Sequence, residues 1–164
     1  MSTTTAEASP RLAVGDLVRG AVGGIIAGMV FAAVTMWFVT TQKMSALTPL
    51  HMISTIVKGD QAMMTGATSV PIGLVVHMVL SMMFGVVFAL AVSRLRTNGA
   101  VALAGLVFGL LLYVVNFQIL GRLLFTTFLM ANQPFEVLAH LVFGSLLALF
   151  LYSTGPRRGE PLWG

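Results

Sequence analysis

Four long apolar stretches, at about 18–41, 71–94, 99–121 and 134–154, constrain this chain more than any other feature. Each reaches the roughly 20 residues that a helix needs to cross a hydrocarbon core of about 30 Å. Lipid offers no hydrogen bonds, so a spanning segment must satisfy its own backbone groups, and each stretch is predicted to be a helix. The predicted fold is an all-α membrane protein, a four-transmembrane-helix bundle over 18–154, with a segment 1–17 before it and a tail 155–164 after it. The first stretch exceeds a signal-peptide core of about 7–15 residues and no small-residue cleavage site directly follows it, so it reads as an uncleaved helix.

Composition agrees: 57% of the residues are hydrophobic and 9% charged, whereas a soluble domain carries about a quarter charged. The net charge of +4 does not point to nucleic acid, because the nine Lys and Arg sit at the ends of the apolar runs. Arg11, Arg19, Arg94, Arg96, Arg157 and Arg158 fall on one side of the zigzag, against Lys43, Lys58 and Arg122 on the other. The excess of positive charge places both termini in the cytoplasm. The absence of cysteine excludes disulfides, thiol catalysis, cysteine-ligated clusters and covalently attached haem.

The long connection 42–70 contains Leu47, Leu50, Ile53, Ile56 and Val57 at helical spacing after Pro49, which predicts an amphipathic helix at about 47–58 lying on the outer membrane surface. The connection 122–133, with Leu123, Leu124, Phe125, Phe128 and Leu129, is expected to follow the same interface. Arg94 to Asn98 makes a tight turn between the second and third spans. The tail, with Pro156, Pro161 and the Arg157–Arg158 pair, reads as a short mobile end.

Spans two and four each open on a proline followed six residues later by a histidine: Pro71 with His77, and Pro134 with His140. A 63-residue offset relates them. Ala27-Gly28-Met29-Val30-Phe31 and Ala104-Gly105-Leu106-Val107-Phe108 relate spans one and three by an offset of 77, the long loop absorbing the difference. The chain therefore reads as a tandem duplication of a two-helix unit, its halves related by an approximate two-fold axis along the membrane normal. Such an axis puts both histidines at one depth, about 9 Å below the outer helix ends at 1.5 Å per residue.

Intramembrane histidine faces protein or a cavity. At steps of four, Gly73, His77, Ser81 and Gly85 share one face, as do Glu136, His140, Gly144 and Ala148. Small residues there either let helices approach or leave room for a flat ligand. His77 and His140 are candidate axial ligands of a b-type haem between spans two and four. Alternatively they fix packing, or they relay protons. A copper variant would use His51, Met52 and Met78, thioethers being soft ligands; methionine as plain apolar filler is the competing reading. Glu136 could orient or protonate His140, could simply favour a helix N-terminus, and could pair with Arg122. Asn116, with Gln118 nearby, is a buried amide of the third span. Gly20, Gly24, Gly28 and Ala32 form a close-packing stripe whose partner is a helix of this chain or of a second copy.

No phosphate-binding glycine loop, serine elbow or metalloprotease histidine pair is present, so the chain is expected to have no catalytic activity of its own. The glycine-rich first span, the Met-rich outer loop, His77-x-x-x-Ser81-x-x-x-Gly85 and His140-Leu-Val-Phe-Gly144 together resemble a group of small bacterial four-helix membrane proteins. The resemblance covers most of 18–154. It implies a multi-pass protein of the bacterial inner membrane and assigns neither an activity nor a site. The leading expectation is a binding or accessory subunit, holding haem or a metal in an electron-transfer or metal-handling assembly. Its partners would be the lipid bilayer and other membrane subunits or a second copy. The alternatives are a small transporter or proton-coupled channel using Glu136, His140 and Asn116, and a purely structural subunit.

Overall fold

A computed structural model describes residues 14–159; the ends of the chain, with Arg11 and Pro161, lie outside the described residues. Helix α1 (Val14–Thr41) is followed by α2 (Thr48–Lys58), α3 (Ala62–Thr65) and α4 (Val70–Val92). Then come α5 (Asn98–Tyr113), which continues through a π-helical segment, Val114–Leu120, into α6 (Gly121–Leu123), and finally α7 (Gln133–Phe150). Single 3-10 turns cover Thr126–Met130 and Gly155–Arg157. Four helices, α1, α4, α5 through α6, and α7, are long and apolar enough to cross a membrane. Their starts are local chemistry. Pro49, Pro71 and Pro134 occupy first-turn positions of α2, α4 and α7, where a missing N–H leaves nothing unpaired. Thr97 and Asn132 accept the N–H groups of Ala100 and Phe135, each at 3.1 Å, and so cap α5 and α7.

Polarity is distributed inside out. Val14, Trp37, Val75, Leu103, Leu111 and Leu138 face outward, whereas Asp16, Thr35, His77, Ser81, Glu136 and His140 are buried. That arrangement fits a protein whose surroundings are lipid. The helices pack in the order α4, α1, α7, α5, so α1 touches both α4 and α7. Bulky side chains close the α4–α5 side, where the rings of Phe88 and Phe108 lie 5.1 Å apart. Small residues govern the α1–α4 and α5–α7 crossings. A Cβ on Gly20 would lie 2.5 Å from the carbonyl oxygen of Gly85, and one on Gly24 2.2 Å from that of Ser81. Gly28 meets the Ser81 side chain. The partner of the glycine stripe is therefore α4 of the same chain, while Gly23, beside the stripe, seats Phe150 of α7.

Helix α2 lies across the start of α4, with Leu50 backbone against Gly73. Its fully buried face is Leu50, Ser54 and Thr55, whereas Leu47 and Val57 of the predicted apolar stripe are exposed. The hydroxyl residues can be buried because each bonds a carbonyl of its own helix, Ser54 to His51 at 2.7 Å and Thr55 to Met52 at 2.6 Å. Ser54 Oγ also accepts the N–H of Ser69, at the start of α4.

The described residues after α7 differ from expectation. Helix α7 stops at Phe150 rather than near 154, and residues 151–159 turn back onto the bundle. Arg157 is 2% exposed. Its Nη1 donates to the carbonyls of Val92 and Leu95, at 3.0 and 2.6 Å, and its Nη2 to Leu151 carbonyl and Thr154 Oγ1, at 3.2 and 2.8 Å. One guanidinium thus satisfies terminal carbonyls of both α4 and α7, which a cation at a helix C-terminus is suited to do.

At the opposite end, Asp60 joins two loops. Its carboxylate accepts the Thr127 N–H at 3.0 Å, the Thr127 hydroxyl at 2.5 Å and the Thr126 hydroxyl. The Thr126 and Thr127 donors hold its pKa below the ordinary carboxylate value. A depressed folded pKa means that the contact is at full strength above the ordinary value and is lost as pH falls through the depressed one. Protection of the Thr127 amide, corrected for intrinsic exchange, is expected to hold at neutral pH and to weaken below about pH 4. In Asp60→Asn that pH dependence should vanish; a variant that keeps it would show that another group is responsible.

Candidate functional site

The two intramembrane histidines flank one aromatic ring. Phe31, from the middle of α1, has its centroid 5.9 Å from that of His77 and 4.9 Å from that of His140. Phe117 at 5.5 Å and Tyr113 at 6.1 Å complete an aromatic enclosure around His140, and Phe143 backs Phe31 at 6.3 Å. His77 Nε2 lies 2.8 Å from Gly28 carbonyl oxygen, and His140 Nδ1 lies 2.7 Å from the carbonyl oxygen of Glu136. A carbonyl only accepts, so each of these nitrogens carries the proton. The lone pairs then sit on His77 Nδ1 and His140 Nε2.

This arrangement does not fit a bis-imidazole haem. Helix α1 packs between α4 and α7, and the ring of its Phe31 lies against both imidazoles. The small residues that could have made room for a macrocycle are already filled by backbone: Gly85 by Gly20, and Gly144 by Gly105. The copper set is not assembled either. His51 Nδ1 bonds the Thr68 hydroxyl at 2.7 Å, Met78 packs its methyl at Gly28, and Met44, Met64, Met82 and Met83 are exposed. Among the described residues, no three His, Cys, Asp or Glu converge as a metal site.

Glu136 stands in the first turn of α7 yet is only 6% exposed. Its Oε2 approaches His140 Nδ1 at 3.9 Å, and among the described residues no Lys or Arg pairs with it. Arg122 is engaged elsewhere: its Nε and Nη2 donate to Gln118 Oε1 at 3.2 and 3.0 Å. Gln118 Nε2 in turn donates to Tyr113 Oη at 2.6 Å, and Tyr113 donates to Gln133 Oε1 at 3.1 Å. Gln133 Nε2 closes the chain on the carbonyls of Phe128 and Ala131. A polar ladder therefore runs from the ring edge of Tyr113, beside His140, to the exposed Arg122. Its first rung needs the π-helical segment, because residues five apart, such as Tyr113 and Gln118, come onto one face only when the helix widens. Asn116 lies in the same segment, half-buried, and takes no part in the ladder. Tyr113, Gln133 and Phe31 carry no charge and fall in apolar or turn contexts, so spacing alone did not single them out. The Tyr113–Gln118 interval of five would have been a signal only to a reader already expecting a π segment.

The two crossings share a contact pattern. A Cβ on Gly105 would meet Gly144 carbonyl oxygen at 2.5 Å and Ala148 Cβ at 2.8 Å; one on Gly20 would meet Gly85 oxygen at 2.5 Å and Ala89 Cβ at 2.7 Å. One on Gly109 would lie 2.2 Å from His140 oxygen, as one on Gly24 lies 2.2 Å from Ser81 oxygen. These pairings relate α1 to α5 by 85 residues and α4 to α7 by 59, rather than by 77 and 63. In this register the counterpart of His140 is Ser81, and that of His77 is Glu136. The offset of 63 still matches the helix starts, since each histidine comes seven residues after the first residue of its helix.

No protein-family model, no curated protein and no solved structure matches this chain.

Proposed function

We propose that this protein is a small multi-pass protein of the bacterial inner membrane that carries protons, or a solute coupled to protons, through its helices, with Glu136 and His140 as the protonatable centre. One observation carries this reading. A carboxylate is buried within a span beside an imidazole, with no Lys or Arg partner among the described residues. Ionisable groups are costly there and are kept mainly on ion and proton pathways. The ladder Tyr113–Gln118–Arg122 begins beside that centre, where the Tyr113 ring lies 6.1 Å from that of His140, and runs to the exposed Arg122. The shared crossing pattern supports an internal duplication in the 85 and 59 register, with His77 and Glu136 as its divergent pair. Orientation rests on the exposed Arg19, Arg94, Arg96 and Arg158 against Lys43, Lys58 and Arg122, since Arg157 is consumed as a cap; both ends of the bundled chain then face the cytoplasm.

Proteoliposomes enclosing a pH-sensitive dye test the proposal. Under a potassium diffusion potential set with valinomycin, the wild type is expected to acidify or alkalinise the lumen. Glu136→Gln should cut that rate by about a hundredfold, the order that losing a positioned proton-transfer group costs. Equal rates in both proteins and in empty vesicles would overturn it.

A further inference from the structure

Phe31 does more than pack against two histidines. Its ring touches both His77 and His140 from a helix packed between theirs, and it also lines an apolar groove of about 110 Å³ between α1 and α7, open on its outer side, where the lining Val30, Val34, Leu138 and Val142 are exposed. Aromatic side chains turn between staggered χ1 wells, and Phe31 borders the open α1–α7 groove on one side rather than close-packed core on all sides. We propose that Phe31 is the gate of the proton route: with the ring where it stands, His77 is separated from the Glu136–His140 pair, and with the ring swung into the open α1–α7 groove the two sides are joined. The lone pairs left by the two anchoring hydrogen bonds, on His77 Nδ1 and His140 Nε2, are the groups that the open gate would connect. No bond is made or broken in the swing, and the carbonyl contacts to Gly28 and Glu136 hold both imidazoles in place while it occurs. Val34, one turn further along α1, lines the same groove but has no ring contact with either histidine.

The gate rests on the proton-pathway reading, so its test has one arm that reads flux and one that does not. In nanodiscs, carbethoxylation by diethyl pyrocarbonate is followed residue by residue by mass spectrometry. The wild type should protect both His77 and His140, which are 9% and 5% exposed. Phe31→Ala should raise the labelling of both by about tenfold, while Val34→Ala leaves them protected. Unchanged labelling in Phe31→Ala, or an equal rise in Val34→Ala, overturns the gate whatever the flux. In proteoliposomes, Phe31→Ala should leak protons faster than the wild type, Phe31→Trp should conduct less by filling the groove, and Phe31→Ala with Glu136→Gln should be silent. A conducting wild type with no faster Phe31→Ala removes the gate and leaves the pathway. A Phe31→Ala leak that survives Glu136→Gln removes the gate as drawn, because the released route would not run through that pair.

Discussion

Gly144→Val is expected to abolish the folded bundle, or to lower its stability in detergent by about 3 kcal/mol or more. A Cβ at this position would sit 2.0 Å from the carbonyl oxygen of Gly105 and 2.9 Å from the backbone nitrogen of Gly109. Both are backbone atoms inside a spanning helix, so neither can step aside as a side chain would. The only relief is for α5 and α7 to separate, which removes contacts along the whole crossing. Without a hydrophobic drive between helices in lipid, close van der Waals packing supplies most of their association. The same reasoning applies to Gly85→Val, whose Cβ would lie 2.0 Å from Gly20 oxygen. Gly15→Ala is the control, since nothing lies within 4 Å of its added methyl. Thermal loss of the monodisperse species, read by size-exclusion chromatography, gives the ranking; a Gly144→Val protein that melts with the wild type would refute the crossing.

The second large effect belongs to Arg157. Truncation to alanine removes, among the described residues, four hydrogen bonds at a site that is nearly closed to solvent, and takes a donor from terminal carbonyls of α4 and α7. A net loss of about 3 kcal/mol is expected, the upper part of the range for bonds made by a charged group. Arg157→Lys should recover only part of it, because an ammonium is a single point donor and cannot span carbonyls on two helices as the planar fork does. Chemical denaturation of the two variants separates these cases. Equal stability of Arg157→Lys and wild type would mean that charge at the helix ends, not the fork, is what counts.

The candidate site was legible in part. His77, His140 and Glu136 stood out because ionisable residues in apolar helices are few, and the three do lie in the interior of the bundle. Their relationship was not legible. The face-sharing pattern Gly73, His77, Ser81, Gly85 suggested a ligand slot, yet every small residue on it is spent on contact with α1 or α2. Spacing reveals that a face is small, and it cannot say whether backbone or a cofactor fills the room. Similarly, Pro71 with His77 and Pro134 with His140 align the helix starts, whereas the crossings follow a register four residues away, because where two helices meet depends on which glycines interlock. Arg157 reads in sequence as orientation charge, and nothing in the order of residues marks Asp60. Asp60 becomes a specific acceptor only through partners more than sixty residues distant, and Arg157 ties two such partners, Val92 and Leu95, to its near neighbours Leu151 and Thr154.

What the sequence determined by itself is the part that depends on length and local chemistry. Four apolar runs long enough to span lipid must be helices, since their backbone has no other partner there, and Pro49, Pro71 and Pro134 set where three helices begin. What only the tertiary structure decided is the part that depends on neighbours: α1 threading between α4 and α7, Phe31 lying against both histidines, Arg122 turning to Gln118 rather than Glu136, and the tail closing on Arg157. Helix formation is paid back within one segment, but packing in lipid is settled by close contacts between distant segments, and those contacts leave only short, degenerate traces in the order of residues.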